Sequence, residues 1–385
     1  MYMGEQHLHI ICFDVPYPVD YGGVFDLFFK IKYLHKAGIK IHLHCFEYGR
    51  EKQPELDKYC IEVKYYQRVA PFKCLFYPVP YIVSSRASRD LLANLEKDRH
   101  PILMEGMHCT YFLHKGNLPK QRCFVRLPNV EYLYYRRLAE TTTSLFKKWY
   151  YRREARQLLR YEKDLADKAK FWTISQKDCD LFRNELGYRE ISNLPLFLQE
   201  YQPEWRNING GFCLYHGNLA VDENEFAAIW LLEKVFSEVK IPFVIAGKNP
   251  SKKLVALAHA QLHTCLVSNP GNPEMEDLIR KAQIHILPSF NSTGIKLKLI
   301  NALYHGRHCI VNTSAVEGSG LEDCCIIANT CRSIKDEVKR YFGLPFTREA
   351  YNQRIARLNA TFNNSKNAQL MIESIFGNRD DLSRK

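Results

Sequence analysis

A chain of 385 residues, 46% of them hydrophobic, is long enough to bury the cores of two ordinary domains. No uncharged apolar run reaches membrane-spanning length, and the apolar segment near the N-terminus lacks the basic flank of a signal peptide. Thirteen cysteines without CxxC spacing indicate reduced thiols rather than disulfides or zinc fingers, and a net charge of +12 indicates an anionic partner. We therefore expect a cytoplasmic protein.

The first predicted elements form half of a Rossmann-like domain. An apolar strand over 9–13 is followed by a loop with Gly22 and Gly23, a helix over 24–36 and a second strand over 39–46. This order predicts parallel neighbouring strands, although the GxGxxG fingerprint of dinucleotide-binding domains is missing. Because open α/β sheets bind ligands beyond the carboxyl ends of their strands, the two glycines are candidates for ligand contact. The alternative is a tight turn that needs positive φ.

The histidines offer one functional candidate. Predicted strands over 101–104 and 123–125 continue the alternation, and His108 follows the first of them closely. A histidine at a strand end suits a functional role, and a structural histidine is the alternative. His42 and His44 point to the same face of their strand, but nothing near them in the sequence completes a metal site. We therefore expect no metal ion.

A basic aromatic segment occupies 136–160. Its aromatic residues include Trp149, Tyr150 and Tyr151. Its basic residues are Arg136, Arg137, Lys147, Lys148, Arg152, Arg153, Arg156 and Arg160. Three interpretations stay open: a solvated helix face, a surface that contacts an anionic membrane, and a nucleic-acid-binding surface. No RNP, zinc-finger or helix-turn-helix signature supports the third, and we expect no nucleic acid partner.

A polar stretch over 199–211 predicts a linker to a second α/β domain. Strands are predicted over 212–216, 242–246, 265–268, 284–287, 308–312 and 325–328. Gly217 and Lys248 lie just beyond two strand ends, and Glu317 lies in a glycine-containing turn over 316–320. These three residues are candidates for the same ligand-binding edge, with capping of the following segment as the alternative for Glu317.

The stretch over 284–313 is the clearest βαβ unit. A strand over 284–287 leads through a polar turn to a helix over 295–305, which Gly306 ends. Lys296 and Lys298 fall in or near the first turn, where the helix dipole favours anions and penalises cations. An anion at the helix start would reverse that penalty, and phosphate is the anion usually bound there. The alternative is a solvated basic helix.

Gly294-x-Lys296-x-Lys298-x-x-Asn301-Ala302, followed by Gly306, resembles the donor-binding motif of the family GT4 glycosyltransferases. The resemblance implies that the basic residues contact a nucleotide diphosphate and that Asn301 replaces a glutamate that contacts the ribose. A second glutamate of the family would fall at Thr293 and is also absent. An amide makes a weaker hydrogen bond to a ribose hydroxyl than a carboxylate does.

Further motifs extend the resemblance over most of the chain. Gly22-Gly23, Arg126, Pro128-Asn129-Val130-Glu131, Tyr161-Glu162 and Ile174-Ser175-x-x-Asp178 resemble GT4 sequences in the same order. In the family, a histidine at the position of His108 meets the donor sugar, which makes His108 the catalytic candidate. Asp178 and Asp180 have the DxD spacing of a metal motif from another glycosyltransferase fold. Ser175 at capping distance predicts that they start a helix instead.

The resemblance implies an α/β protein with the GT-B fold, in which two Rossmann-like domains face each other across a cleft. The acceptor domain would span 1–200 and the nucleotide-sugar donor domain 201–365, with a C-terminal helix over 366–385 returning to the first. Donor-binding candidates are Gly22, Gly23, Gly217, Lys248, Thr293, Gly294, Lys296, Lys298, Asn301 and Glu317.

The implied activity is transfer of a sugar from a nucleotide sugar to a glycan or lipid-linked acceptor during polysaccharide or glycolipid assembly. Transfer would retain the anomeric configuration, and the resemblance implies no cofactor and no metal ion. Peripheral contact with an anionic membrane would bring a cytoplasmic enzyme to a lipid-linked acceptor. The absent glutamates leave two alternatives: a non-catalytic nucleotide-sugar-binding scaffold and a nucleotide-sugar 2-epimerase.

Overall fold

A computed structural model of the protein describes residues 5–20, 22–70, 78–142, 144–291 and 294–377. The chain divides into two compact units. Unit 1 comprises Met1–Gln199 and Phe362–Lys385, and unit 2 comprises Glu200–Thr361. The last described helix therefore belongs to unit 1 although it follows unit 2 in the chain.

Each unit is built on one parallel sheet. In unit 1 the strands are β1 His7–Cys12, β2 Lys40–Glu47, β3 Glu62–Gln67, β4 Ile102–Glu105, β5 Cys123–Leu127, β6 Lys170–Thr173 and β7 Ile191–Asn193, in the order β3-β2-β1-β4-β5-β6-β7. In unit 2 they are β8 Cys213–Asn218, β9 Phe243–Lys248, β10 Thr264–Ser268, β11 Ile284–Ile286, β12 His308–Val311 and β13 Ile326–Ile327, in the order β10-β9-β8-β11-β12-β13. The strands predicted from the sequence are all present, and β3, β6 and β7 are additional.

Helices connect successive strands, as parallel pairing requires. In unit 1 they are α1 Gly22–Lys36, α2 Tyr81–Ser84, α3 Arg89–Leu95, α4 Tyr111–His114, α5 Glu131–Thr141, α6 Leu145–Leu165, α7 Gln176–Leu186 and the C-terminal α15 Asn364–Phe376. In unit 2 they are α8 Asp222–Lys234, α9 Lys252–His259, α10 Asn272–Lys281, α11 Leu297–His305, α12 Thr313–Val316, α13 Cys331–Phe342 and α14 Arg348–Thr361.

Alternation along β1 shows how the sequence fills both faces of the first sheet. Leu8, Ile10 and Cys12 pack in one apolar cluster, which also receives Met371 of α15, whereas Ile11 packs in the cluster on the opposite face. Successive strand side chains point to opposite faces, so a strand that is buried on both faces must be covered on both. α15 therefore supplies part of the cover of unit 1.

Four charged residues are buried together inside unit 1. The ammonium of Lys30 lies 2.7 Å from the Glu105 carboxylate and 2.9 Å from that of Asp26. Asp26 also accepts two hydrogen bonds from Arg126, at 3.1 Å each. Burial opposes ionisation of Asp26, but the charges of Arg126 and Lys30 outweigh it and hold the pKa of this carboxyl well below its usual range. Two cations therefore balance two carboxylates in the core.

Candidate functional site

The carboxyl edge of the second sheet collects most of the residues that the sequence nominates in unit 2. Gly217 is the penultimate residue of β8 and Lys248 is the last residue of β9, so both lie within the strands rather than just beyond their ends as predicted. The register pairs Gly217 with Gly247 and Asn218 with Lys248. Gly294 follows β11, and Glu317 follows β12 and the short helix α12. Because β9, β8, β11 and β12 are neighbours in that order, these residues lie along one edge. Thr293 falls outside the described residues.

The turn before α11 differs from the prediction in one respect. Gly294 has a φ of +65°, and the backbone stays extended at Lys296, so the helix begins at Leu297 rather than at residue 295. Gly294 therefore lies outside the helix that carries Lys298 and Asn301. A φ in the left-handed region favours glycine, because other residues pay a steric penalty there. Lys296 becomes the N-cap residue, and its side chain makes no capping hydrogen bond.

Lys298 lies in the first turn of α11 and is partly buried. Its ammonium donates to the side-chain oxygen of Asn224 at 2.8 Å and to the hydroxyl of Tyr215 at 3.2 Å, and lies 4.8 Å from the centre of the Tyr215 ring. Burial lowers the pKa of Lys298 to about 8, although the charge of Glu223 opposes this shift. In the described part of unit 2, both hydrogen-bond partners of this cation are neutral. An anion placed here would offset its desolvation.

A polar network joins α8 to the ends of β11 and β12. The hydroxyl of Ser289 donates to Glu223 at 2.7 Å, and the amide side chain of Asn291 approaches the same carboxylate at 3.4 Å. The Asn312 side chain exchanges two hydrogen bonds with the backbone of Ser289, at 2.9 and 2.7 Å. These contacts fix Ser289 and Asn291 directly after β11.

Close backbone packing explains the glycine near the end of β9. A Cβ at Gly247 would overlap the carbonyl oxygen of Gly217, so these strand ends approach each other only without a side chain there. A Cβ at Gly217 would lie 3.4 Å from the Asn224 side chain, which is one of the partners of Lys298. Gly217 therefore lies in contact range of the residue that orients the lysine, without glycine being required there.

His216 is a buried histidine that the sequence analysis did not nominate. Among the described residues its Nε2 atom has no hydrogen-bond partner, and its ring lies edge-on to His285 at 5.9 Å. Burial, with a contribution from the charge of Lys298, lowers the pKa of His216 to about 3. The ring is therefore neutral near pH 7 and adds no charge beside Lys298.

Asn301 lies on α11, three residues after Lys298, and is partly buried. Side chains three apart are neighbours on a helix surface. The arrangement therefore allows Lys298 and Asn301 to contact adjacent parts of one ligand.

In unit 1, His108 lies just beyond the carboxyl end of β4. Its ring packs 5.1 Å from that of Phe13, and its Nδ1 atom has no hydrogen-bond partner within the described ranges. Burial, assisted by the charges of Arg86 and Arg68, holds the pKa of His108 well below its usual value. The neutral imidazole offers a ligand one acceptor nitrogen and one N–H group, but it cannot act as a general acid at pH 7.

Gly22 and Gly23 lie beyond β1, as expected, but in a helix instead of a loop. They form the first turn of α1, which starts two residues earlier than predicted. Both glycines are helical residues, so the prediction that the Gly-Gly pair lies in a loop is wrong. Their position still brings backbone close to the carboxyl edge of the first sheet.

Two expectations about metal motifs have different outcomes. The Ser175 hydroxyl accepts from the backbone N–H of Asp178 at 3.0 Å, which confirms that Asp178 belongs to a helix cap. By contrast, the expectation that no metal ion binds stays a prediction, and His42 has possible co-ligands that are distant from it in the sequence. The fold brings His7 and His100 to it, with one nitrogen of each ring within 4.8 Å of the others. These residues are far apart in the sequence, so local spacing could not reveal them.

Comparisons with known proteins agree with this arrangement. Residues 211–341 match the family described as Glycosyl transferases group 1. An uncharacterized 44.6 kDa protein in the cps region of Klebsiella pneumoniae is 26% identical over 343 residues, which cover 83% of this chain and 87% of that protein.

Solved structures share the fold over nearly the whole chain. Sucrose-phosphate synthase from Thermosynechococcus elongatus superposes with a TM-score of 0.71 at 13% identity, covering 99% of this chain and 100% of that one. A glycosyltransferase from Rickettsia africae gives 0.62 at 14% identity, with 98% and 100% covered. A UDP-forming trehalose-phosphate synthase from Burkholderia xenovorans gives 0.60 at 10% identity, with 96% and 99% covered. At these identities the likeness shows a common architecture.

Proposed function

We propose that this chain, a group 1 glycosyltransferase with the GT-B fold, transfers a hexose from a nucleotide sugar to a glycan or lipid-linked acceptor. The relative from a cps region supports a place in polysaccharide or glycolipid assembly. In this proposal unit 2 binds the donor and unit 1 contributes the acceptor site, with transfer retaining the anomeric configuration.

The observation that carries the proposal is the environment of Lys298. A partly buried ammonium with neutral hydrogen-bond partners sits in the first turn of a helix that has no acidic residue there. A diphosphate would gain a charge-assisted hydrogen bond from Lys298 and a favourable interaction with the helix dipole.

The same arrangement has a role in catalysis. Breaking the bond between sugar and diphosphate places extra negative charge on the departing phosphate. Positive groups that are already positioned stabilise this charge in the transition state more than in the ground state, which lowers the barrier. Lys298 and the amide groups at the start of α11 would supply that stabilisation, with Lys296 as a second cation near the turn.

Asn301 is proposed to contact the donor ribose. Because a carboxylate accepts stronger hydrogen bonds than an amide, Asn301→Glu should bind the nucleotide sugar at least as tightly as the wild type. Isothermal titration calorimetry of both proteins provides the comparison, with circular dichroism to confirm that the variant is folded. A folded variant that binds more weakly would show that Asn301 does not face the ribose.

Activity itself is tested by incubating the purified chain with UDP- and GDP-sugars and identifying the products by mass spectrometry. Slow release of the nucleoside diphosphate without acceptor, accelerated by an oligosaccharide or a lipid-linked sugar, supports transfer. Conversion into an epimeric nucleotide sugar would support the 2-epimerase instead.

A non-catalytic sugar-nucleotide-binding scaffold is the second candidate function. The observation that favours it is Asn301, which stands where GT4 enzymes carry a glutamate. This candidate predicts tight donor binding without turnover in the presence of any acceptor tested, whereas the first predicts turnover with at least one.

We propose further that the start of α6 touches an anionic membrane. Leu145, Phe146 and Trp149 expose 84%, 77% and 59% of their surfaces. Lys147 and Lys148 lie between them, while Leu158 further along the helix is buried in the core of unit 1. Apolar side chains beside lysines suit the headgroup region of a bilayer, and no described helix is long and apolar enough to cross one.

Vesicle sedimentation tests this contact. The chain should bind vesicles that contain an anionic lipid at low salt and release them at high salt, since each basic residue near the surface contributes about 1 kcal/mol. Phe146→Ser with Trp149→Ser should reduce binding, whereas Leu370→Ser, at another exposed leucine of unit 1, should not. Binding that ignores lipid charge, or equal binding by both variants, would leave α6 as a solvated helix.

A further inference from the structure

One face of the first sheet carries a row of imidazoles near the amino ends of its strands. His7 and His9 of β1, His42 and His44 of β2, and Glu62 and Tyr66 of β3 alternate with residues that point to the other face. His42 is the register partner of His9 on one side and of Glu62 on the other. Neighbouring strands therefore place these rings side by side.

In the two more deeply buried histidines, His9 and His44, both ring nitrogens already have hydrogen-bond partners. His9 and His44 share a hydrogen bond of 2.9 Å, and their remaining nitrogens contact Asp98 and Tyr66. Burial lowers the pKa of His9 to about 4 and that of His44 to about 3, so both rings are neutral near pH 7. His9 and His44 therefore add no charge next to the rings of His7 and His42.

The outer histidines are held differently. His42 contacts the Glu62 carboxylate through Nδ1 at 2.6 Å, and its Nε2 atom shares a hydrogen bond of 3.0 Å with Nδ1 of His7, which a metal ion would replace. A carboxylate on one imidazole nitrogen fixes the tautomer and presents the other nitrogen's lone pair, which is how proteins prepare a histidine for a metal ion.

His100 completes the group from the segment before β4. Its ring stacks on that of His7, with ring centres 4.7 Å apart, and its backbone N–H donates to Asp98 at 2.9 Å. Arg122 binds the backbone carbonyl of His100 at 2.9 Å. The turn that carries this third ring is therefore fixed to the same side of the sheet.

We infer that His7, His42 and His100 bind a divalent transition-metal ion, with Zn²⁺ as the candidate that the ligands fit best. One nitrogen of each ring lies within 4.8 Å of the other two. A tetrahedral zinc ion with Zn–N distances of about 2.0–2.1 Å separates its ligand atoms by about 3.3 Å, close to the His7–His42 distance. Three imidazoles are a recurrent zinc set and leave a fourth position for water.

The site is independent of the proposed donor site. It lies at the amino ends of β1 and β2 and in the segment before β4, whereas ligand binding in such sheets occurs at the carboxyl ends. A metal ion here joins three segments that are distant in the sequence, and it stabilises unit 1 because it binds only the folded arrangement.

The test uses the full chain without an affinity tag, stripped with a chelator and titrated with Co²⁺ and then Zn²⁺. We expect one equivalent to bind, with visible cobalt bands of nitrogen ligation and without the thiolate charge-transfer band that the cysteines would give. Zn²⁺ should displace the cobalt and raise the thermal midpoint. Acid should weaken binding, because protons compete with the metal ion for the imidazole nitrogens.

His100→Gln, outside the strands, should abolish the one-equivalent binding, and Glu62→Gln should weaken it by about 10–100-fold. His35→Gln, at an exposed histidine of α1, is the matched control and should bind like the wild type. Thermal melts without metal show that each variant is folded. The absence of saturable binding, a thiolate-type cobalt spectrum, or unchanged affinity in folded His100→Gln would each overturn the inference.

Discussion

Lys30→Met should lower the free energy of unfolding by about 3–5 kcal/mol, because removing one member of a buried ion pair leaves an uncompensated charge. Lys30 is fully buried and is the hydrogen-bond donor to both oxygens of Glu105, at 2.7 and 2.8 Å. Burial already raises the pKa of Glu105 despite the nearby ammonium. Without Lys30 this carboxyl must either be buried as an anion or take up a proton.

Urea unfolding of wild type and variant across pH measures the effect. In the variant the folded-state pKa of Glu105 should lie still higher than in the wild type, where burial already raises it, so the deficit in unfolding free energy should be small in acid and grow as pH rises above the wild-type folded-state pKa. Lys30→Met with Glu105→Gln should recover part of the loss. Lys36→Met, at the exposed end of the same helix, is the control and should cost less than about 1 kcal/mol. Equal losses at Lys30 and Lys36 would refute the buried-cluster explanation.

Lys298→Ala should weaken binding of a nucleoside diphosphate by about 1.5–3 kcal/mol, the range for a hydrogen bond to a charged group. This corresponds to a dissociation constant about 10–160-fold higher. The reason is geometric: Asn224 and Tyr215 hold the ammonium at the start of α11, where the diphosphate is proposed to lie. Lys253→Met, at an exposed lysine of α9, should bind like the wild type.

The same lysine predicts a pH dependence. In the free protein the pKa of Lys298 is about 8, and a bound anion raises it. Binding should therefore be strongest below pH 8 and weaken as pH rises above it, over a range in which the diphosphate keeps its charge. Lys298→Ala should remove this dependence, which calorimetry at several pH values from 7 to 10 would measure. Unchanged affinity in the variant would place the phosphates elsewhere.

Much of the second unit could be predicted because its signals are local. The βαβ pattern over 284–313 requires only a short apolar run, a polar turn and an amphipathic helix, and the structure confirms it as β11, α11 and β12. The capping arrangement of Ser175 and Asp178 is equally local. The start of α11 was placed two residues early because no sequence pattern reveals that Gly294 adopts a positive φ.

Contacts between distant residues could not be predicted in the same way. Tyr215 and Asn224 precede Lys298 by 83 and 74 residues, and only strand order and helix packing bring them together. The His7–His42 pair likewise depends on β1 and β2 being parallel neighbours. The edge strand β3 is not predicted because polar and apolar residues are mixed over Glu62–Gln67, which leaves no continuous apolar run.

Hydrogen–deuterium exchange of the full chain with and without UDP, GDP and ADP is the most direct test of the proposed donor site. With at least one saturating nucleotide, protection should concentrate in peptides that cover 284–303 and the end of β8 near Gly217. The strand-initial segments around His7 and His42 should exchange as before. Protection confined to unit 1, or no protection with any of the three nucleotides, would contradict the assignment of the donor diphosphate to the start of α11.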